Sequence, residues 1–316
     1  MFKKIITLII SMLCFCLMLS GCGRQKEQSD AADLQMVQFT DSLGNKVNIP
    51  KKPQRIVSLS LGTDEILMDL VELERIAALT YLSDDAGISH IASRSIKVKN
   101  KLRGNNAEAI MALKPDLVLI ADWWKLETLQ SLRDVGITVY VYKTPYTVAD
   151  VKKTITEVAK VVGEPEKGEQ LINAFERKVD GVQKIIAKAN LPQRKLMALT
   201  GKGAFGYKGS IYDDMCTYAK IDNCLKNIKT DENTTVSKEI IIAGNPDVII
   251  TPSWNAPGML DTKGVEELLS DESLATVTAI KNKRVVNISG KTVYCVSQYI
   301  AYCIEDLAQA VYPEAF

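Results

Sequence analysis

Histidine, charge imbalance and long apolar runs are all scarce in this 316-residue chain, and each scarcity removes a class of function. With 39 Lys+Arg against 38 Asp+Glu, no positive excess exists to neutralise phosphates. A nucleic-acid binder that works by charge is therefore excluded. Only one strongly apolar run occurs, at the very start, so a polytopic membrane protein is excluded too. One histidine, His90, and no Gly-x-Ser-x-Gly leave a hydrolase without an activated nucleophile. Gly201 to Gly206 count as G-x-G-x-x-G, but the next helical pattern begins only after Gly209 and Ser210. That is too late to set a helix N-terminus on a pyrophosphate. No cysteine pair has C-x-x-C spacing, and no carboxylate or histidine is spaced to join Asp84-Asp85. The expectation is a non-enzyme with no resident cofactor and no metal site. What remains is 47% apolar and 24% charged, ordinary for a globular chain and long enough for two domains.

Lys3 and Lys4 precede the apolar run Ile5 to Ser20, which ends Leu19-Ser20-Gly21-Cys22. A basic start, about 16 apolar residues and small residues before a cut read as an export signal, too short for a comfortable membrane span. The Leu-Ser-Gly-Cys ending resembles the lipobox of bacterial lipoproteins. That resemblance implies removal of residues 1–21 and lipid attachment at Cys22, the only contact with the membrane. The polar stretch that follows, residues 22–36, reads as a flexible spacer. Four cysteines remain in the body: Cys216, Cys224, Cys295 and Cys303. An exported chain permits one or two bridges among them, and buried free thiols are the alternative.

The body is written twice. Ala107 to Trp124 aligns with Lys238 to Asn255 at a constant offset of 131, with six identities: Glu108/Glu239, Ile110/Ile241, Ala112/Ala243, Pro115/Pro246, Asp116/Asp247 and Trp123/Trp254. Each copy reads as a short helix, a Pro-Asp turn that cannot continue it, a buried strand and a Trp-bearing loop. Upstream, Arg55 to Ser60 and Arg194 to Thr200 read as strands, each followed by a helical pattern. Alternating strands and helices imply parallel sheets. Between the halves, apolar residues recur at helical spacing and are interrupted at Gly163-Glu164-Pro165. The second segment, Glu166 to Ala189, predicts a helix of about 36 Å.

This pattern resembles the helical-backbone class of ABC-transporter substrate-binding proteins, which capture corrinoids, haem or ferric siderophores. The resemblance runs from about Phe39 to Pro313, through Ile49-Pro50, Arg55 to Leu59, Asn106 to Val118, the central helix, Gly209 to Met215 and Val236 to Ile250. It implies an α/β fold of two lobes, each a parallel sheet flanked by helices, joined by a long rigid helix. The boundaries are 37–147 for the first lobe, 148–190 for the connecting helices and 191–316 for the second lobe. It also implies an extracytoplasmic, lipid-tethered monomer that serves an ABC permease dimer and its ATPase. Glu108 and Glu239 match the pair of glutamates that dock on permease arginines in this class. Alternative readings are a ferric hydroxamate siderophore receptor and a binding module that signals instead of transporting.

In open α/β sheets ligands bind beyond the carboxyl ends of the strands. Tyr81, Trp123, Trp124, Phe205, Tyr207 and Trp254 all follow predicted strands, which suits a large, flat, mostly apolar cargo. Asp122, Tyr207 and Asn255 are candidate polar contacts. Arg94, Arg103, Lys125, Lys202 and Lys208 are scattered, thin support for a strongly anionic cargo and better support for a corrinoid, with haem or a hydroxamate complex next. His90 reads as an exposed loop residue in preference to an axial ligand.

Overall fold

The computed structural model describes residues 35–104, 106–199, 206–228, 236–253 and 262–316. Cys22, Phe205, Trp254 and Asn255, with the predicted signal and almost all of the spacer, lie outside those residues. Among the described residues no helix is long and apolar enough to cross a membrane.

Eleven strands are described. An antiparallel hairpin, β1 (Met36–Thr40) and β2 (Lys46–Pro50), opens the first lobe. It is tied to the lobe by Ser42 N donating to Val141 O at 2.8 Å. The first lobe's sheet holds β3 (Ile56–Ser58), β4 (Ile76–Thr80), β5 (Lys101–Leu102), β6 (Leu117–Ala121) and β7 (Val139–Tyr142) in the order β5-β4-β3-β6-β7. The second holds β8 (Lys195–Ala198), β9 (Asp222–Asn223), β10 (Val248–Ser253) and β11 (Val285–Ser289) in the order β11-β10-β8-β9. Every pairing within these two sheets is parallel. Setting β3 against β8 and β6 against β10, the order β4-β3-β6-β7 repeats as β9-β8-β10-β11, so the internal repeat of the sequence is a repeat of topology.

The correspondence reaches the backbone. Lys114 and Asn245, one offset apart, both adopt the left-handed conformation, with φ of 48° and 39°. Each stops its helix just before the Pro-Asp pair, because a left-handed residue turns the chain away from the helix axis. The aspartates then serve the neighbouring strand. Asp116 accepts from Gln54 N at 2.6 Å and Arg55 N at 2.9 Å, and Asp247 accepts from Lys195 N at 2.8 Å. The Pro-Asp signature is thus a joint between two adjacent strands as well as a helix breaker.

Side chains alternate across each sheet, as the pleat requires. Leu117, Leu119 and Ala121 of β6, with Val248 and Ile250 of β10, enter one core cluster that extends through both lobes. Val118 and Ile120 turn to an outer cluster of the first lobe, and Ile249 to one of the second. The shared core also takes Val151, Ile155 and Val158 of the helix Val148–Val161 and Phe175, Val179, Val182 and Ile186 of the helix Pro165–Ala189. The latter begins with proline in its first turn, where no N–H is lost, and ends at Asn190 in the left-handed conformation. Its 25 residues span about 37 Å. Its start is fixed by Arg75, whose guanidinium lies 2.6 Å from Glu164 and donates to Pro53 O at 2.8 Å.

The four body cysteines are all free and buried, which corrects the expectation of one or two bridges. Cys216 packs in the shared core while Cys224 packs in the outer cluster of the second lobe, donating to Gly244 O at 3.7 Å. Burial pushes the Cys224 thiol up to about 12 and that of Cys216 higher still. Both stay protonated and inert. Cys303 hydrogen-bonds Tyr299 O at 3.4 Å, and Cys295 meets Ser297 Oγ at 3.4 Å.

Candidate functional site

The carboxyl ends of the strands open onto a cleft between the lobes. A cavity of about 260 Å³ is lined by Pro145 and Tyr146 beyond β7, by Gly206, Tyr207 and Tyr212 of the second lobe, and by Tyr294 and Val296 beyond β11. A smaller one of about 60 Å³ adjoins it through Pro145 and Val296 and reaches Ser60, Thr63, Trp123 and Tyr142 of the first lobe. The walls are aromatic and aliphatic, with hydroxyls at intervals. Larger depressions of about 480 and 460 Å³ involve Asn190 and Lys220, and Arg194, Asp247 and Arg284. These residues stand at the amino ends of β8, β10 and β11, opposite to where a doubly wound sheet takes its ligand.

The first lobe's wall is held by short polar ties. Ser60 caps the helix Leu61–Leu70, its hydroxyl accepting from Thr63 N and meeting Tyr142 Oη at 2.6 Å. Gly62 lets the second lobe come close, since a Cβ there would stand 2.7 Å from the Val296 side chain. Asp122 accepts from the backbone N of Thr144 at 2.9 Å and from its hydroxyl at 2.5 Å, tying the ends of β6 and β7. The candidate polar contact at Asp122 is therefore occupied in building the wall.

The predicted aromatics divide. Trp123 is exposed and lines the smaller cavity, and Tyr207 lines the larger one. Trp124 is half-buried and packs against both the shared core and the outer cluster of the first lobe, with its ring stacked on Trp123 at a centroid distance of 4.7 Å. Its buried Nε1 has no hydrogen-bond partner among the described residues. Tyr81 is exposed beyond β4 with the Arg103 guanidinium 4.2 Å above its ring, outside both cavities. Tyr146 and Tyr294 line the cleft although the sequence pattern does not mark them. Tyr146 follows β7 and is within reach of the strand-end rule; Tyr294 sits on a helix after β11, a strand without a clear periodic signal.

The two repeat glutamates occupy equivalent places. Glu108 is exposed in the first turn of the helix Ala107–Ala112, whose cap Asn106 accepts from Ala109 N at 3.0 Å. Glu239 is exposed in the first turn of the helix Lys238–Gly244, whose cap Ser237 accepts from Ile240 N at 3.4 Å. The Ser237 hydroxyl holds the Glu239 carboxyl below its usual range.

Behind the cleft the lobes meet through buried polar groups. Gln298 donates to Glu65 O and to Asp69, both at 2.8 Å, and Ser297 donates to the Glu65 carboxylate. Burial pushes the Glu65 carboxyl up to about 8 and that of neighbouring Asp64 up to about 7. His90 is not the exposed loop residue expected from sequence. It is half-buried, stacked on Tyr299 at 4.8 Å, with Nε2 3.7 Å from Cys303 Sγ. Arg94, one of the scattered cations, is taken up by Asp69 at 2.8 Å and Tyr299 Oη at 2.6 Å.

The chain is 24% identical to the uncharacterized ABC transporter substrate-binding lipoprotein YvrC of Bacillus subtilis (strain 168), over 99% of each chain. It is 25% identical to the molybdate-binding protein MolA of Haemophilus influenzae, over 88% of this chain and 85% of the relative. Among solved structures, the haem-binding protein RhuT of Roseiflexus sp. RS-1 superposes with a TM-score of 0.70 at 23% identity, covering 83% of this chain and 99% of that one. The family pattern described as periplasmic binding protein matches residues 56–292. With duplicated α/β lobes, a helical strut and a cleft at the strand ends, the chain belongs to the periplasmic binding proteins, solute-binding components of ABC transporters and not enzymes.

Proposed function

We propose that this protein is a lipid-anchored, extracytoplasmic receptor that captures a chelated metal complex between its lobes and delivers it to an ABC permease. The cargo class is a corrinoid or an iron complex such as haem or a ferric siderophore. The observation that carries this reading is the cleft itself, where Trp123, Tyr146, Tyr207 and Tyr294 converge from both lobes. Rings so disposed grip a flat apolar surface by area burial and stacking, while Ser60 and Thr63 offer polar anchors. The haem named for one relative agrees with this cargo class; the molybdate named for another is a much smaller anion, which would use the cleft without its aromatic area.

Delivery is assigned to Glu108 and Glu239. One carboxylate per lobe, each exposed in a helix's first turn, suits two equivalent cationic sites on a permease dimer. Attachment is assigned to Cys22.

The test is a titration of the full chain with cobalamin, haemin, ferric siderophores and molybdate in turn, followed by absorbance and tryptophan quenching. One chelate is expected to bind with quenching that Trp123→Ala diminishes. Binding of molybdate alone, or of no chelate at all, would overturn the cargo class.

A further inference from the structure

We propose that His90, Cys295 and Cys303 form a site for a thiophilic cation, Zn²⁺, which clips the two lobes together behind the cleft. The histidine comes from the first lobe and the cysteines from the second, more than 200 positions later. In the fold one imidazole nitrogen and the two sulfurs lie within 4.8 Å of one another. Tetrahedral zinc, with bonds of about 2.3 Å to sulfur and about 2.0–2.1 Å to nitrogen, sets its ligand atoms about 3.5–3.8 Å apart. The edge between Cys303 Sγ and His90 Nε2 is 3.7 Å, already of that length. The remaining ligand atoms need to close from at most 4.8 Å, and water takes the fourth position.

The surroundings are those of a metal centre. The His90 ring lies parallel to Tyr299, at 10° between planes, and the Tyr299 hydroxyl is fixed by Asp69 at 2.8 Å and Arg94 at 2.6 Å. Glu65 is the positioning group. Its Oε1 accepts from the backbone N of His90 at 2.8 Å, and its Oε2 lies 3.9 Å from Cys295 Sγ. Outer partners of this kind orient ligands and set affinity. Two sulfurs and one imidazole select Zn²⁺ or Cu⁺ over Mg²⁺ and Ca²⁺, which require oxygen. Both cysteines are buried, while His90 retains partial exposure and offers the way in. None of the three ligands lines either cavity of the cleft: Tyr294 and Val296 line the larger one, whereas Cys295 between them belongs to the core, as does Cys303. The site therefore stands or falls independently of the cargo reading.

The full chain, reduced and stripped with chelator, is titrated with Zn²⁺ and, as a spectroscopic probe, with Co²⁺. One equivalent of each is expected to bind, with a thiolate-to-cobalt charge-transfer band and a raised melting temperature in Zn²⁺. His90→Gln and the double variant Cys295→Ser/Cys303→Ser lose the band and the stoichiometric metal. Glu65→Gln binds about 10–100-fold more weakly. The control Cys216→Ser/Cys224→Ser keeps the full equivalent, and circular dichroism checks that each variant is folded. If the reduced wild-type chain takes up neither metal, or the double cysteine variant retains a full equivalent, the site is refuted. The wild-type titration is decisive even if a variant does not fold. A Cu⁺ arm separates the two thiophilic ions: binding of Cu⁺ with no uptake of Zn²⁺ would overturn the assignment to zinc.

Discussion

Trp123 lines a cavity of the cleft with its ring stacked on Trp124, which packs against the core, so the proposed cargo-binding ring is braced from behind. Truncating a ring of this kind removes contact area and a preset orientation together. Trp123→Ala and Tyr207→Ala are each expected to weaken cargo binding by about 1–3 kcal/mol, read from quenching or calorimetric titration. Trp124→Ala should instead lower the unfolding free energy by about 3–5 kcal/mol, since its ring is packing material. Asp64 makes a second residue-level prediction. Its carboxyl is buried, and loss of solvation raises it from 3.8 to about 7 despite the Thr80 donors. The folded state therefore holds the proton more tightly than the unfolded chain. Stability from this group is present below pH 3.8 and declines as pH rises towards 7. Asp64→Asn removes the ionisation, so in urea melts the variant's stability should fall less than the wild type's between pH 5 and pH 8.

At the scale of elements, the long helix depends on how it begins. Arg75 and Glu164 form a largely buried pair at 2.6 Å, and removing one partner leaves the other charged and desolvated. Arg75→Ala is expected to cost about 3–5 kcal/mol in denaturant melts. The Pro-Asp joints are more exposed, and Asp116→Ala should cost about 1–2 kcal/mol by freeing two backbone donors at the start of β3. These elements are legible in the sequence because each carries a local signal: proline after a helix, an apolar run for a buried strand, helical spacing between the lobes. Helix Val148–Val161 and helix Pro165–Ala189 fall where periodicity sets them, and strand β6 where an unbroken apolar run follows Pro115-Asp116. Hairpin β1–β2 and strand β11 escape such a reading, the first because β1 buries no residue fully and β2 only its last two, Ile49 and Pro50. His90 misleads for another reason. Nothing near it in sequence hints at Cys303, 213 positions away, so only tertiary structure reveals its burial. Asp122 likewise looks like a binding group until its partner Thr144 comes into view.

For the whole molecule, duplication makes delivery separable from capture. Glu108→Lys combined with Glu239→Lys should abolish uptake through the permease while cargo affinity stays unchanged, because both carboxylates are exposed and neither lines a cavity of the cleft. Unaltered uptake would dismiss the docking role. Lobe motion is expected to be small, since the strut helix and shared core leave no pair of crossing strands to bend. Small-angle scattering with and without cargo should give the same radius of gyration. That continuous core has one more implication. Leu119 of one half and Ile250 of the other belong to a single apolar mass with Phe175 between them in the chain. Calorimetry should accordingly record one cooperative melting peak, and neither half expressed alone should fold, because each would expose the apolar face that the other now covers.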